Sequence, residues 1–446
     1  VKHLIKFIDL FAGTGGMRLA MEQACLESGI ETECVFSSEI DKNACLSYEL
    51  NFGENPYSDI RKIHEFPDFD FLLAGFPCQS FSYAGKRKGF GDTRGTLFFD
   101  VERILNQKKP AYFLLENVRG LITHDKGRTY QTIKEKLEKI GYSVDYLLLN
   151  SSNYDVPQNR VRIYILGVMY GTLKLTLNSD LGAADTHKFK LNMENFQTSL
   201  FEEEKIKPKV VKDILEKNPD SKYTCSPDFT DKLKRIVDYD FAQLDGYRLI
   251  DYRGGKSLHS WELGVKGICT QNEIEFMNLL ISNRRKKVFG THQDGKSLTR
   301  EQIETFYDAK NFNEITSSLI KKGYLSCYDG KYNPVCGNMS FEVFKFLDPE
   351  GISITLTASD SNRLGVIQNN IARRITPREC ARIQGYPDNY KLLDNDNAVY
   401  KQMGNGVSVP VVKAVLLDFM TQNVKKIANK SGLLKAALLV PSYTTL

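Results

Sequence analysis

Six short apolar runs punctuate the first 170 residues of the chain: KFIDLF, ECVFSSE, FDFLLAG, AYFLLEN, YLLLN and RIYILGV. Between them lie amphipathic stretches at 16–27, 42–51, 96–107 and 129–140, where apolar positions recur at helical spacing. This alternation predicts βαβ units in an α/β fold with a mostly parallel sheet, and sites at the carboxyl ends of its strands. From about 172 to 350 the rhythm dissolves, charge density rises, and runs such as FEEEKIKPK and NRRKKVFG appear, which predicts a second, inserted domain. Order returns after residue 370 with RRITPRECARIQGYP: Thr376 reads as an N-cap, Pro377 as N1 and Glu379 as N3, with Gly385 and Pro387 ending the helix. A last helix is expected over 409–424. The expected division is thus 1–171, 172–350, 351–424 returning to the first domain, and a peripheral tail 425–446.

Composition narrows the class. At ~150 residues per domain, 446 residues suggest two or three. Hydrophobic content of 41% and charged content of 26% are those of a soluble globular protein, and no apolar stretch approaches the ~20 residues that span a bilayer. The opening VKHLIKFIDLFAG runs directly into a glycine-rich turn and reads as a core strand, not a signal peptide. Nine cysteines without framework spacing indicate a reducing, cytoplasmic compartment. Cys327 and Cys336 stand too far apart for a zinc CxxC, and no metal site is expected. A net charge of +5 permits a polyanionic partner without requiring one.

Candidate chemistry begins at LLAGFPCQSFS, where Cys78 follows an apolar run. A nucleophilic cysteine is usually activated by a histidine, yet none of the six, His3, His64, His124, His187, His259 and His292, forms a hydrolytic pattern with it. A small buried hydrophobe at a strand end is the alternative reading. DLFAGTGG after the first strand sets Gly13, Gly15 and Gly16 at a helix start, where a ligand can approach backbone N–H groups. Its spacing is not GxGxxG, which argues against nicotinamide or flavin. Glu39 ends the second strand and is suited to hold ribose hydroxyls. Asp59 is suited to an adenine amino group and Phe11 to stacking, with a solvated surface carboxylate as the other reading of Asp59. Glu116, in LLENV, ends a strand of the same sheet as Cys78, and Arg160 and Arg162 alternate in VPQNRVRIY. A thiol, a carboxyl, two arginines and a nucleoside cofactor suit attack on an electron-poor ring.

Taken in order, DLFAGTGG, Glu39, Asp59, GFPCQSFS, GTLFFD, ENV, QNRVRIY, RRITPRECARIQGYP and YKQMGNGVSVPV resemble the DNA cytosine C5-methyltransferases of bacterial restriction-modification systems, over residues 7–170 and 352–420. The resemblance implies a Rossmann-like methyltransferase domain with a smaller inserted target-recognition domain. It implies S-adenosyl-L-methionine as methyl donor, with S-adenosyl-L-homocysteine as product. Cys78 would add to C6 of cytosine, Glu116 would polarise N3, Arg162 would hold O2, and Arg160 would favour the thiolate or contact phosphate. Phe11, Gly13, Gly15, Gly16, Glu39, Ile40, Asp59, Pro77 and Asn405 would form the cofactor site. Gly406 departs from the family's usual serine, which puts a hydroxyl contact in doubt.

The implied partner is double-stranded DNA, with the target base flipped out. Residues 79–95 suit a closing lid, with Gln79 and Ser82 near the emptied stack and Lys86, Arg87, Lys88 and Arg94 for phosphates. In the inserted region, 296–335 resembles a winged helix turning at Asp329 and Gly330, and Arg284 and Arg285 before it are candidate phosphate contacts. A monomer acting on nucleoid DNA, no membrane partner, and a restriction endonuclease acting on the same site complete the expectation. Three rivals remain: an RNA C5-methyltransferase of the same fold, a non-catalytic DNA-binding relative, and a cysteine hydrolase. The last two are disfavoured by the presence of both Cys78 and Glu116 and by the lack of a suitable histidine.

Overall fold

A computed structural model describes residues 4–77, 97–180, 208–252, 254–291, 296–308, 310–336 and 341–424. Cys78 and the segment 79–95 lie outside the described residues.

The chain forms two compact units. The first spans Val1–Ile214, Ile352–Ser361 and Pro377–Leu446, and the second Leu215–Gly351 and Asn362–Thr376. The boundaries therefore differ from those expected at 172 and 350: residues 172–180 and 208–214 go with the first unit and 362–376 with the second. The composition shift at 172 falls inside the first unit and does not mark the start of the second core.

The first unit opens with β1 (Leu4–Leu10), α1 (Gly16–Ser28), β2 (Glu31–Ser38), α2 (Lys42–Phe52), β3 (Phe71–Gly75), α3 (Leu97–Lys108) and β4 (Tyr112–Val118). It continues with α4 (Gly120–Thr123), α5 (Arg128–Ile140), β5 (Ser143–Asn150) and β6 (Val161–Val168). These strands form one sheet in the order β2-β1-β3-β4-β6-β5. β1 is parallel to β2 and β3, and β3 to β4, while β6 runs antiparallel to both β4 and β5. In the central strands, Phe7, Ile8, Phe71, Leu72, Leu73, Phe113, Leu114 and Leu115 are fully buried. That continuous apolar reading is what a sheet covered on both faces requires. Because β1, β3 and β4 are parallel neighbours, their carboxyl ends, Leu10, Gly75 and Val118, emerge along one edge.

In the second unit, α6 (Pro227–Val237) begins behind Ser226, whose hydroxyl caps Phe229 N. The strands β7 (Arg248–Leu249) and β8 (Ser257–Leu258) follow, then α7 (Gln271–Asn283), β9 (Leu298–Thr299), α8 (Arg300–Glu304), α9 (Phe312–Lys322), β10 (Leu325–Tyr328) and β11 (Lys331–Pro334). The last strands are β12 (Lys345–Leu347), β13 (Leu364–Gln368) and β14 (Ile371–Arg374). Two sheets result, β14-β13-β12-β7-β8 and β10-β11-β9, each with its own apolar cluster. The β13–β14 hairpin completes the larger sheet, which is why 362–376 belongs to this unit.

The chain then re-enters the first unit as α10 (Pro377–Ile383), α11 (Asp396–Asn405) and α12 (Val409–Phe419). Among the described residues, the stretch Asp396–Val424 passes a length-and-composition test for crossing a membrane, a test that a buried core helix also passes. Its physical role here is the latter: Val411, Val412, Val415, Leu416 and Phe419 are buried in the core, α12 packs on α1, and the helix is interrupted at Gly406–Ser408.

Candidate active site

The turn after β1 takes a conformation that ordinary side chains avoid. Gly13 and Gly15 have φ of 55° and 79°, and Phe11 is held at 54°. A Cβ on Gly16 would come within 2.5 Å of the Tyr386 hydroxyl and 2.9 Å of Val407, so this position admits only glycine without displacement. Gly13 has no heavy atom within 4 Å of where a Cβ would stand and faces open space.

Glu39 completes this turn. Its carboxylate accepts from Gly13 N at 2.8 Å, Ile40 N at 2.7 Å and Asp41 N at 2.8 Å, so one side chain fixes both the glycine turn and the entrance to α2. Asp41 caps α2 and pairs with Lys401 of α11 at 2.8 Å. Asp59 is gripped by Arg61, which donates from Nε at 2.9 Å and from a terminal nitrogen at 2.6 Å. The Arg61 hydrogen bonds hold its carboxyl below the usual carboxylate range. Ile40 is 62% exposed at the same rim.

Across the edge, Glu116 and Arg162 face each other from the antiparallel strands β4 and β6, with Arg162 Nε 3.2 Å from Glu116 Oε1. Burial pushes the Glu116 carboxyl above its ordinary range, while Arg162 and Arg160 pull the other way. Asn117 donates to the Phe76 carbonyl at 3.1 Å and so ties the end of β4 to the segment leading into Pro77.

Arg160 is 3% exposed. It donates to the carbonyls of Leu356 at 2.9 Å and Gly406 at 2.6 Å, with a longer contact to Gly404. Burial and the neighbouring Arg162 bring it down to about 9. The phosphate contact expected for Arg160 is therefore closed to it: the side chain is a strut that holds the 404–406 turn against β6.

These groups meet in one cavity of about 550 Å³, in the range of small-ligand sites. Phe11, Gly13, Gly16, Glu39, Ile40, Asp59, Pro77, Glu116, Arg160, Arg162 and Asn405 all line it; Gly15 does not, because it faces Phe52 and Tyr48. Gln79, Ser82, Lys86, Arg87, Lys88 and Arg94 lie outside the described residues. Arg284 is 3% exposed and donates to Asn333 at 2.8 Å, so a phosphate contact from it does not fit, while Arg285 is half-buried.

Several residues that shape the cavity were not singled out from the sequence. Thr14 shares a 2.8 Å hydrogen bond with Tyr386 and its carbonyl accepts from Tyr390 at 2.5 Å, which clamps the turn between two tyrosines distant in sequence. Gln158, fully buried, accepts from Leu356 N and donates to the Gln384 side chain. Only the polar character of Gln158 beside an apolar strand hinted at this.

Glu39→Ala is expected to weaken binding of an adenosine-type cofactor by ten- to a hundredfold, since charge-assisted hydrogen bonds contribute ~1.5–3 kcal/mol. Glu39→Gln should fall between, because it keeps an acceptor for Gly13 N. Calorimetric titration with S-adenosylmethionine reads both, and unchanged affinity in the alanine variant would remove this pocket from consideration.

Comparison with known proteins matches residues 5–420 to the family described as C-5 cytosine-specific DNA methylase. The Type II methyltransferase M.BanI of Aneurinibacillus aneurinilyticus is 63% identical over 95% of this chain and 97% of its own length. M.HgiCI of Herpetosiphon aurantiacus is 61% identical over 93% and 97%, and M.HhaI of Haemophilus parahaemolyticus 32% identical over 92% and 93%. Among solved structures, a DNA modification methyltransferase encoded within an E. coli prophage aligns over 94% of this chain and 99% of its own, with a TM-score of 0.52 and 22% identity, a likeness of fold.

Proposed function

Because the chain belongs to the C-5 cytosine-specific DNA methylase family and is a DNA methyltransferase of the kind found in type II restriction-modification systems, we propose that it methylates C5 of a cytosine flipped out of a specific duplex sequence. S-adenosyl-L-methionine is the donor in this reading, and Cys78 bonds covalently to C6. The observation that carries it is the cavity itself: the paired Glu116 and Arg162 share one space with the glycine turn, Glu39 and Asp59.

The residues present fit the cofactor. Gly13 opens onto unfilled space in the cavity that Glu39, Ile40 and Asp59 also line, and in this reading those three residues would take the ribose, the adenine face and the adenine amine. Asp59 would exchange part of its Arg61 contact for the adenine amino group. Bound there, the cofactor supplies an electrophilic methyl group.

The chain's own residues then activate the base. The Cys78 thiolate forms the S–C6 bond and pushes ring electrons toward N3 and O2. Glu116, with its proton favoured by burial, gives that proton to N3, and Arg162 holds O2 and orients Glu116. C5 thereby gains the electron density to take the methyl group. N3 then returns its proton to Glu116, a base removes the C5 proton, the electron pair from that C–H bond forms the C5–C6 double bond, and the S–C6 bond breaks to release the thiolate.

The same reading assigns sequence recognition to the second unit, and makes the protein a cytoplasmic monomer acting on nucleoid DNA beside a restriction endonuclease of the same site. Genomic DNA treated with the protein and S-adenosylmethionine, then sequenced after bisulfite conversion, should show one protected cytosine in one recurring context. Protection without a recurring context, or none, would overturn the reading.

A further inference from the structure

Residues 271–334 run helix α7, strand β9, helices α8 and α9, then the β10–β11 hairpin, and the three strands pair in the order β10-β11-β9. This is the connectivity of a winged helix. Its own core holds it together: Phe276 meets Phe312 and Tyr307 at ring distances of 5.9 and 5.2 Å, and Phe312 meets Tyr332 at 5.2 Å. The hairpin turns at Asp329 and Gly330 with φ of 50° and 68°, the two-residue turn whose twist suits a tight hairpin.

Helix α9 divides sharply. Phe312, Ile315, Thr316 and Leu319 are buried, while Asn313, Glu314, Ser317, Ile320 and Lys321 form an exposed stripe. That stripe is made of hydrogen-bonding side chains with a single half-exposed aliphatic residue, which is poor material for docking a protein and good material for reading base edges. A carboxylate accepts from the cytosine amine, an amide pairs with adenine, and a hydroxyl serves either base. Two cations beside the helix are engaged: Lys322 pairs with Glu273 at 2.7 Å and Arg300 with Glu304 at 2.7 Å, over the ring of Phe312. Lys331 is exposed on the hairpin, beside Tyr328 at 87% exposure.

We propose that α9 is a recognition helix that enters the major groove of the target duplex, with Glu314 and Ser317 reading base edges and Lys331 of the hairpin seated on the phosphate backbone. This rests on the reading of the protein as a methyltransferase of one specific duplex sequence. In that frame it names the residues of the second unit that discriminate one base pair from another.

Full-length protein carrying Glu314→Ala or Ser317→Ala should keep its melting temperature, since both side chains are exposed. It should lose about tenfold to a hundredfold in discrimination at one position of the site, visible as methylation at near-cognate sequences after bisulfite conversion. Lys331→Ala should instead weaken all duplexes alike and reduce the slope of log affinity against log salt by about one. A Glu314→Ala/Ser317→Ala protein that melts as the wild type does and keeps its base preference at every position would overturn the inference while leaving the functional reading standing. Wild-type protein that methylates no duplex would overturn both.

Discussion

Incubated with S-adenosylmethionine and a duplex carrying 5-fluorocytosine at its target position, the protein is expected to form an adduct that survives denaturation, and peptide mapping is expected to place the bond at Cys78. Fluorine at C5 permits thiolate addition and methyl transfer but cannot leave as a proton does, so elimination stops and the S–C6 bond persists. Without the cofactor the adduct should not accumulate. Cys78→Ser should give none and should lower turnover on ordinary DNA on the order of 10⁴-fold or more, the scale seen when other enzymes lose their nucleophile. A serine hydroxyl is far less ionised, and no histidine stands near it in sequence to serve as base. The described approach to this residue is firm: Asn117 anchors the Phe76 carbonyl two positions before it. A crosslink at another cysteine, or undiminished trapping by the serine variant, would sink the covalent mechanism.

Glu116→Gln is expected to lower kcat by about 10²- to 10⁴-fold, the range for loss of a general acid, with a much smaller change in cofactor affinity. The variant also has a signature in pH. Burial raises the folded carboxyl above the ~4.3 of an unfolded glutamate, so the folded state holds the proton more tightly. The wild-type rate should therefore fall as pH rises through that elevated folded value, and glutamine should lack this limb. Stability follows the same sign: the contribution is fully present below the unfolded value and is lost as pH rises through the folded one, where a carboxylate must be kept in a dry site. Melting curves of the two proteins should thus converge in acid and separate, with glutamine the more stable, as pH rises through the folded value. A glutamine variant with wild-type kcat and an unchanged alkaline limb would assign the proton to another group.

What the sequence determined by itself was local. Apolar runs of strand length separated by amphipathic stretches placed all six strands of the main sheet and its four long helices to within a few residues, because burial on both faces demands continuous apolar strands and one-sided burial demands helical spacing. Strand-end residues such as Glu39 and Glu116 were legible for a related reason: a carboxylate directly after an apolar run stands where a parallel sheet opens. What joins them was not legible, since it depends on residues hundreds of positions apart. Arg160 illustrates this. Its alternation with Arg162 predicted that both side chains point the same way, yet only the return of residues 356 and 404–406 decided that one is buried under backbone carbonyls while the other meets Glu116. Arg284 is a second case: in a basic run it reads as a phosphate contact, and tertiary packing turns it toward Asn333. Thr14 is a third, an unremarked hydroxyl until Tyr386 and Tyr390 arrive from the far end of the chain to close on it. Strand and helix follow from short-range periodicity, whereas a side chain's partner follows from where distant chain segments come to rest, and no local pattern encodes that position.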